Sequence, residues 1–231
     1  MRRLASLALV ACACAGVGAA AEDARPPARA LFDGRTLDGW RGSSHWTVED
    51  GAITGRSTKE APLKANTFLV WQGGEVGDFE LTFRYRIVGG NSGVQYRSRL
   101  VDPAKFAVAG YQADFEAGKT YSGILYEERG RGILANRGQV AVWKPGAKKP
   151  EVAGTLGKSD EIQARIRPED WNEYRIVAQG GHLRHFINGV ATAEFTDESD
   201  LGARRGILAL QLHAGPAMTV QFKDLLLRET K

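Results

Sequence analysis

Cysteine is almost missing from this 231-residue chain: Cys12 and Cys14 are the two, and both fall in the first fourteen positions. Once that segment is cleaved, no disulfide framework, thiolate metal site or thiol nucleophile can be built. Histidine is nearly as scarce, and the spacings of His45, His182, His185 and His213 make no zinc set. His182 and His185 straddle the start of a hairpin and are expected to face water. Beyond the N-terminus no apolar run approaches the roughly 20 residues of a membrane-spanning helix. There is no Gly-x-Ser-x-Gly elbow, no phosphate-binding Walker loop, no Gly-x-Gly-x-x-Gly opening a helix and no His-Glu-x-x-His. A charge surplus is lacking too. The formal +4 falls to +2 without Arg2 and Arg3, and the basic residues are scattered apart from Lys148-Lys149, so charge supplies no case for nucleic acid.

What is present is glycine, 28 residues against 8 prolines, in a chain that is 43% hydrophobic, the composition of a folded, turn-rich β protein. Residues 1–21 carry Arg2 and Arg3, an apolar stretch from Leu4 to Ala15 and small residues ending at Ala21. That is a secretory signal pattern, so export to the periplasm or the exterior is expected, with the mature chain starting near Glu22. Leu9-Val10-Ala11-Cys12 resembles a lipobox, which would lipidate Cys12 and anchor the protein. Residues 22–30 read as a linker, leaving 31–228 as a single domain.

Along that domain helical periodicity is scarce and strand signals follow one another. Asp78 to Ile87 alternates, with Phe79, Leu81, Phe83, Tyr85 and Ile87 on one face and Glu80, Thr82, Arg84 and Arg86 on the other. Asp50-Gly51, Gly180-Gly181 and Asn188-Gly189 sit between β-type segments and supply the positive φ of tight hairpin turns. About a dozen strands in some 200 residues bury their apolar faces best as two packed antiparallel sheets, which predicts an all-β sandwich.

Three strands carry polar faces. The alternation predicts Gln95 with Arg97, Gln112 with Asp114, and Gln211 with His213 on outward faces; if these strands are neighbours, the residues form either a polar cleft or a solvated sheet surface. Tyr126-Glu127-Glu128-Arg129-Gly130-Arg131-Gly132 adds carboxylates and arginines in a glycine-rich loop of the kind that lines sites. Among the tryptophans, Trp46 and Trp171 read as structural, whereas Trp143, beside a Gly/Lys/Pro loop, is the candidate for a sugar-stacking rim.

Leu31-Phe32-Asp33-Gly34, Leu37-Asp38-Gly39-Trp40, Asn91 to Arg97, Gly110 to Asp114, Trp171-Asn172-Glu173-Tyr174, Ile187-Asn188-Gly189 and Gly206 to His213 occur in order, and together they resemble the 3-keto-disaccharide hydrolase domain family. The resemblance implies a concanavalin A-like jelly roll. It implies an exported carbohydrate-active hydrolase or lyase cleaving 3-keto-glycosides by elimination and hydration. Asp114, Glu127 and His213 would be the proton-transfer groups. Gln95, Arg97, Tyr111, Gln112, Arg129, Arg131, Trp143 and Gln211 would bind substrate. Tyr111-Gln112-Ala113-Asp114 exchanges the acid and amide of the commoner Tyr-Glu-x-Gln pattern. No cofactor is implied, although Asp114, Glu116, Glu127 and His213 could ligate a divalent cation. The expected partner is a carbohydrate or oxidised glycoside, not nucleic acid. The alternatives are a non-catalytic lectin-like module and a surface scaffold.

Overall fold

The computed structural model describes residues 26–230. The signal segment, Cys12 and the first residues of the expected linker lie outside that range. Three strands open the chain order: β1 (Arg29–Ala30), β2 (Trp40–Arg41) and β3 (Trp46–Glu49). Next come β4 (Ala52–Ser57), β5 (Thr67–Trp71), β6 (Phe79–Val88), β7 (Asn91–Asp102) and β8 (Ala107–Glu116). These are followed by β9 (Leu125–Glu128), β10 (Gly132–Ala135), β11 (Gln139–Trp143), β12 (Glu151–Thr155) and one helical turn, α1 (Ser159–Gln163). The last five strands are β13 (Asn172–Gln179), β14 (His182–Ile187), β15 (Val190–Asp197), β16 (Ile207–Leu212) and β17 (Met218–Glu229).

They form two sheets. Ten strands run β12-β11-β15-β14-β13-β6-β17-β4-β3 with β1 against β17, and seven run β10-β9-β8-β7-β16-β5-β2. Neighbours are antiparallel except β11 and β15, which run parallel. The expected sandwich is therefore the observed one. Its hairpin chemistry is as read: Asp50 and Gly51 have φ of 51° and 73°, and Asn188 and Gly189 of 50° and 79°, where a mirror-image turn matches strand twist.

The inward faces meet in an aromatic core. Phe79, Phe83, Tyr85 and Phe222 from the larger sheet pack on Tyr96, Tyr111 and Phe115 from the smaller, with Tyr85 and Phe115 stacked at 3.9 Å. Each such buried ring contributes about 1.5–3 kcal/mol. His185 belongs to this core, which corrects its expected exposure. It shares the inward face of β14 with Leu183 and Ile187, and its ring nitrogens lie 2.9 Å from the Tyr96 hydroxyl and 3.2 Å from that of Tyr174. Burial pulls its pKa down to about 3, so the ring is neutral.

The domain also begins before residue 31. Arg29 and Ala30 pair with Leu227 and Leu226, and Arg228 Nε donates to the Pro26 carbonyl at 2.7 Å, so residues 26–30 dock on β17 instead of linking freely.

The seven-stranded sheet shapes the site. Where β7 and β8 meet, their turn folds back over the sheet's outer face: Phe68 N–H donates to the Phe106 carbonyl at 3.1 Å. Beneath it Phe68, Val70, Val108 and Ala209 form a small apolar cluster. One half of the outer face is thereby closed, and the other half carries polar side chains.

Candidate functional site

Strands β9, β8, β7 and β16 lie side by side, so residues at matching registers share one face. Gln95 stands opposite Gln112, Gln112 opposite Tyr126, and Gly93 opposite Asp114. Gln112, Asp114, Gln211 and His213 consequently line one cavity of about 470 Å³ with Asn66, Asn91, Glu116, Tyr121, Tyr126, Glu128 and others. Gln95 lies fully buried below them, its amide 2.6 Å from that of Gln112. Gly93 is required there: a Cβ at that position would sit 2.6 Å from the Gln112 Cγ, so only glycine leaves the side chain room on the cavity floor.

Asp114 is the centre of this arrangement. Asn91 Nδ2 donates to its Oδ1 at 2.7 Å and Gln112 Nε2 to its Oδ2 at 3.0 Å. The carboxyl is 5% exposed, and burial outweighs these two donors, pushing its pKa up to about 7; the Glu116 and Glu128 charges act in the same direction. A carboxyl poised there gives and takes protons readily at neutral pH. Gln112 and Gln211 approach to 3.4 Å, and Gln211 reaches Glu128 at 3.5 Å. Asn66 closes the rim, donating to Glu128 Oε1 at 3.2 Å and accepting from the Ala214 N–H at 2.9 Å beside His213. Tyr121 and Ile133 stand exposed at the edge and supply an apolar border.

The other expected residues lie elsewhere. Arg97 takes a left-handed conformation (φ 46°) at a bulge between Tyr96 and Arg99, which breaks the alternation and turns its side chain away from Gln95. Its guanidinium donates to Asp78 Oδ1 at 2.7 Å and to the carbonyls of Gly77 and Gly180 at 2.8 and 2.6 Å, tying the two sheets. Glu127 points to the opposite face of β9 from Glu128, where Arg131 Nε donates to it at 2.6 Å. Arg131 also donates to Asp197 at 2.6 Å, and Asp197 accepts the Tyr111 hydroxyl at 2.6 Å. Trp143 is buried over this arginine, 4.7 Å from guanidinium to ring centre, and forms no cavity rim. Arg129 is exposed in the β9–β10 turn. Tyr111, Glu127, Arg131 and Trp143 thus form a separate ion-paired cluster anchored to β15.

The cation set of Asp114, Glu116, Glu127 and His213 does not assemble, because Glu127 is turned away. Among the described residues no three His, Cys, Asp or Glu side chains are grouped to hold a metal ion. Asn66, Asn91 and Tyr121 were missed by sequence reasoning, and Glu128 was passed over for its neighbour. The pairing of Gln112 with Tyr126 carries the signal for β9: if Gln112 faces outward, so do Tyr126 and Glu128, and Glu127 faces inward.

Among solved structures the chain is similar to a Bacillus subtilis protein with a galectin-like fold, TM-score 0.57 and 11% identity over 84% of this chain and 90% of that one. It is also similar to the carbohydrate-binding module CBM66 of B. subtilis, TM-score 0.54 and 14% identity over 83% and 96%. Both place it among jelly-roll sandwiches. In sequence it is 36% identical over 80 residues to a 3-keto-disaccharide hydrolase of Bacteroides thetaiotaomicron, a match spanning 31% of this chain and 27% of that protein. The sequence model of one family matches residues 27–228, and the chain therefore belongs to the 3-keto-alpha-glucoside-1,2-lyase-like domain family.

Proposed function

We propose that this protein cleaves 3-keto-glycosides by elimination and hydration in the cavity around Asp114. The observation that carries this reading is a buried carboxyl with a pKa near 7, held by two amide donors and opening among amides, a histidine and tyrosines. A ketone at carbon 3 acidifies the proton on carbon 2. Ionised Asp114 takes that proton, the electron pair forms an enolate, and collapse of the enolate breaks the bond from carbon 1 to the leaving oxygen. That oxygen must gain a proton, and His213 is the group assigned to deliver it. Water then adds across the carbon 1–carbon 2 double bond, oxygen to carbon 1 and hydrogen to carbon 2. Gln112, Gln211 and Asn66 are the donors available to sugar hydroxyls and the enolate oxygen. Glu127 and Arg97 have no part in this scheme because each is committed to an ion pair outside the cavity.

The test is reducing-sugar release from a 3-keto disaccharide and from the same disaccharide unoxidised. Cleavage of the keto form alone is expected. Cleavage of both points to ordinary hydrolysis. Binding of sugar with no cleavage of either gives the site to a non-catalytic carbohydrate-binding module, the role that the name of the CBM66 neighbour carries. Export belongs to the same proposal, and a mature exported protein beginning near Glu22 by mass spectrometry supports it, whereas an uncleaved chain retained inside the cell overturns it.

A further inference from the structure

The outer face of the ten-stranded sheet, on the far side of the sandwich from Asp114, carries two aromatic rings that the core does not use: Phe186, with the Arg175 guanidinium 3.9 Å from its ring centre, and Trp171. Trp171, half-buried just before β13, has three cations against it: Lys223 Nζ lies 4.1 Å from the ring centre, the Arg86 guanidinium 5.0 Å and that of Arg84 6.0 Å. Register explains the crowding. Arg84 stands between Glu173 on β13 and Lys223 on β17, and Arg86 stands opposite Gln221, whose Oε1 accepts from Arg86 Nε at 2.9 Å. Arg167 joins Arg84, Trp171, Glu173 and Asn188 around a shallow hollow of about 380 Å³. The carboxylates nearby are Glu173, Asp224, which lies 4.0 Å from Arg84, and Asp170, whose Oδ1 accepts the Trp171 backbone N–H at 2.7 Å. Four cations thus face three carboxylates, and the cations gathered on one ring favour an anion that pairs with them.

We propose that this hollow is a second, non-catalytic saccharide site that takes an acidic sugar, a uronate unit of a glycan. Its carboxylate pairs with Arg84, Arg86 or Lys223, and its C–H face lies on the exposed part of the indole. The surplus of one positive charge fits one carboxylate. A nucleic acid calls for a longer basic track and successive stacking rings, and the hollow is lined by Trp171 as its one ring. The site does not depend on the reaction proposed for the Asp114 cavity.

The experiment is calorimetric titration of the whole protein with trigalacturonate and with maltotriose as the neutral probe. Trigalacturonate is expected to bind and maltotriose not, with affinity falling between 50 and 300 mM salt. Arg86→Gln with Lys223→Gln is expected to weaken binding at least tenfold, and Asp114→Asn to leave it unchanged. Lys223→Gln alone, a change at a partly exposed position with an unaltered melting temperature, is the control for folding and still weakens binding. The proposal is overturned by absence of binding, by equal affinity for maltotriose, by full affinity in the double variant, by loss in Asp114→Asn, or by tighter binding of a single-stranded oligothymidylate.

Discussion

The two outer faces of this sandwich are built from the same alternating strand pattern and have opposite characters. On the seven-stranded sheet the outward residues are amides and acids sunk below their surroundings: Gln95, Gln112 and Gln211 are all but fully buried. On the ten-stranded sheet they are partly exposed arginines, glutamates and two aromatic rings, with Arg175 and Arg228 bridging to Glu80 at 3.4 and 3.3 Å. The cause is what surrounds each face. The β7–β8 turn, the Asn66 segment and the β9–β10 hairpin wall in the first, whereas the second is open. Enclosure removes water, and removing water raises the Asp114 pKa and makes every unmatched donor costly. Alternation chooses which residues point outward. The walls decide whether outward means solvent or site.

The contrast is broken most sharply at Asp114. Asp114→Asn keeps the volume and removes the proton acceptor, and the turnover of a 3-keto disaccharide is expected to fall by about 10²–10⁴, the range of a positioned acid or base. In the unmodified protein kcat should rise with pH through about 7 as the carboxyl ionises. A flat profile from pH 5 to 8 would remove Asp114 from the base role.

The same substitution should change stability in the opposite sense to activity. The folded chain holds the Asp114 proton up to about pH 7, while an unfolded aspartate releases it near 3.8, so this group's contribution to stability declines as pH rises through that window. His185 runs the other way: its folded pKa near 3 lies below the usual 6.5, and its contribution is lost as pH falls from 6.5 toward 3. Asp114→Asn should therefore gain about 1 kcal/mol or more at pH 8, roughly 2–4 °C in Tm, and less at pH 5. Thermal melts at the two pH values check this, and an equal gain at both would contradict it.

Gly93→Ala tests the floor. The added methyl displaces Gln112 and also meets the Ala113 carbonyl at 2.9 Å, so a loss of about tenfold in kcat/KM is expected together with about 1–3 kcal/mol of stability, as read from steady-state kinetics beside a melt. The smallest effect belongs to the open face. Glu80→Gln removes the charge shared by two partly exposed ion pairs and should cost less than about 0.5 kcal/mol by urea denaturation. A cost above 2 kcal/mol would mean that the two faces are more alike than their exposure indicates.

Much of the fold was legible because period-two patterning and Asn-Gly or Asp-Gly turns are local signals. β6 buries the five residues its alternation selects, and the Asp50-Gly51 and Asn188-Gly189 turns have the positive φ their chemistry favours. The candidate site was legible only where alternation held. Gln112, Asp114, Gln211 and His213 follow from it, but Arg97 does not, since a single left-handed residue reverses the faces from there on. Glu127 and Glu128 are indistinguishable by composition, and only the partner strand tells which of them looks outward. His185 was misplaced because two tyrosine hydroxyls from distant strands satisfy its ring, and no local pattern announces them.

The pairing of β1 with the end of β17 sets the connectivity of the whole unit. Arg29 and Leu227 are cross-strand partners, so the chain enters and leaves the domain at one spot, on the sheet that does not carry the Asp114 cavity. A tether on either end, or a neighbouring module spliced between them, would leave the cavity mouth unobstructed. For the same reason a short bridge could join residue 26 to residue 230, and new ends could be opened in an exposed turn such as Asp50-Gly51 without unpicking either sheet.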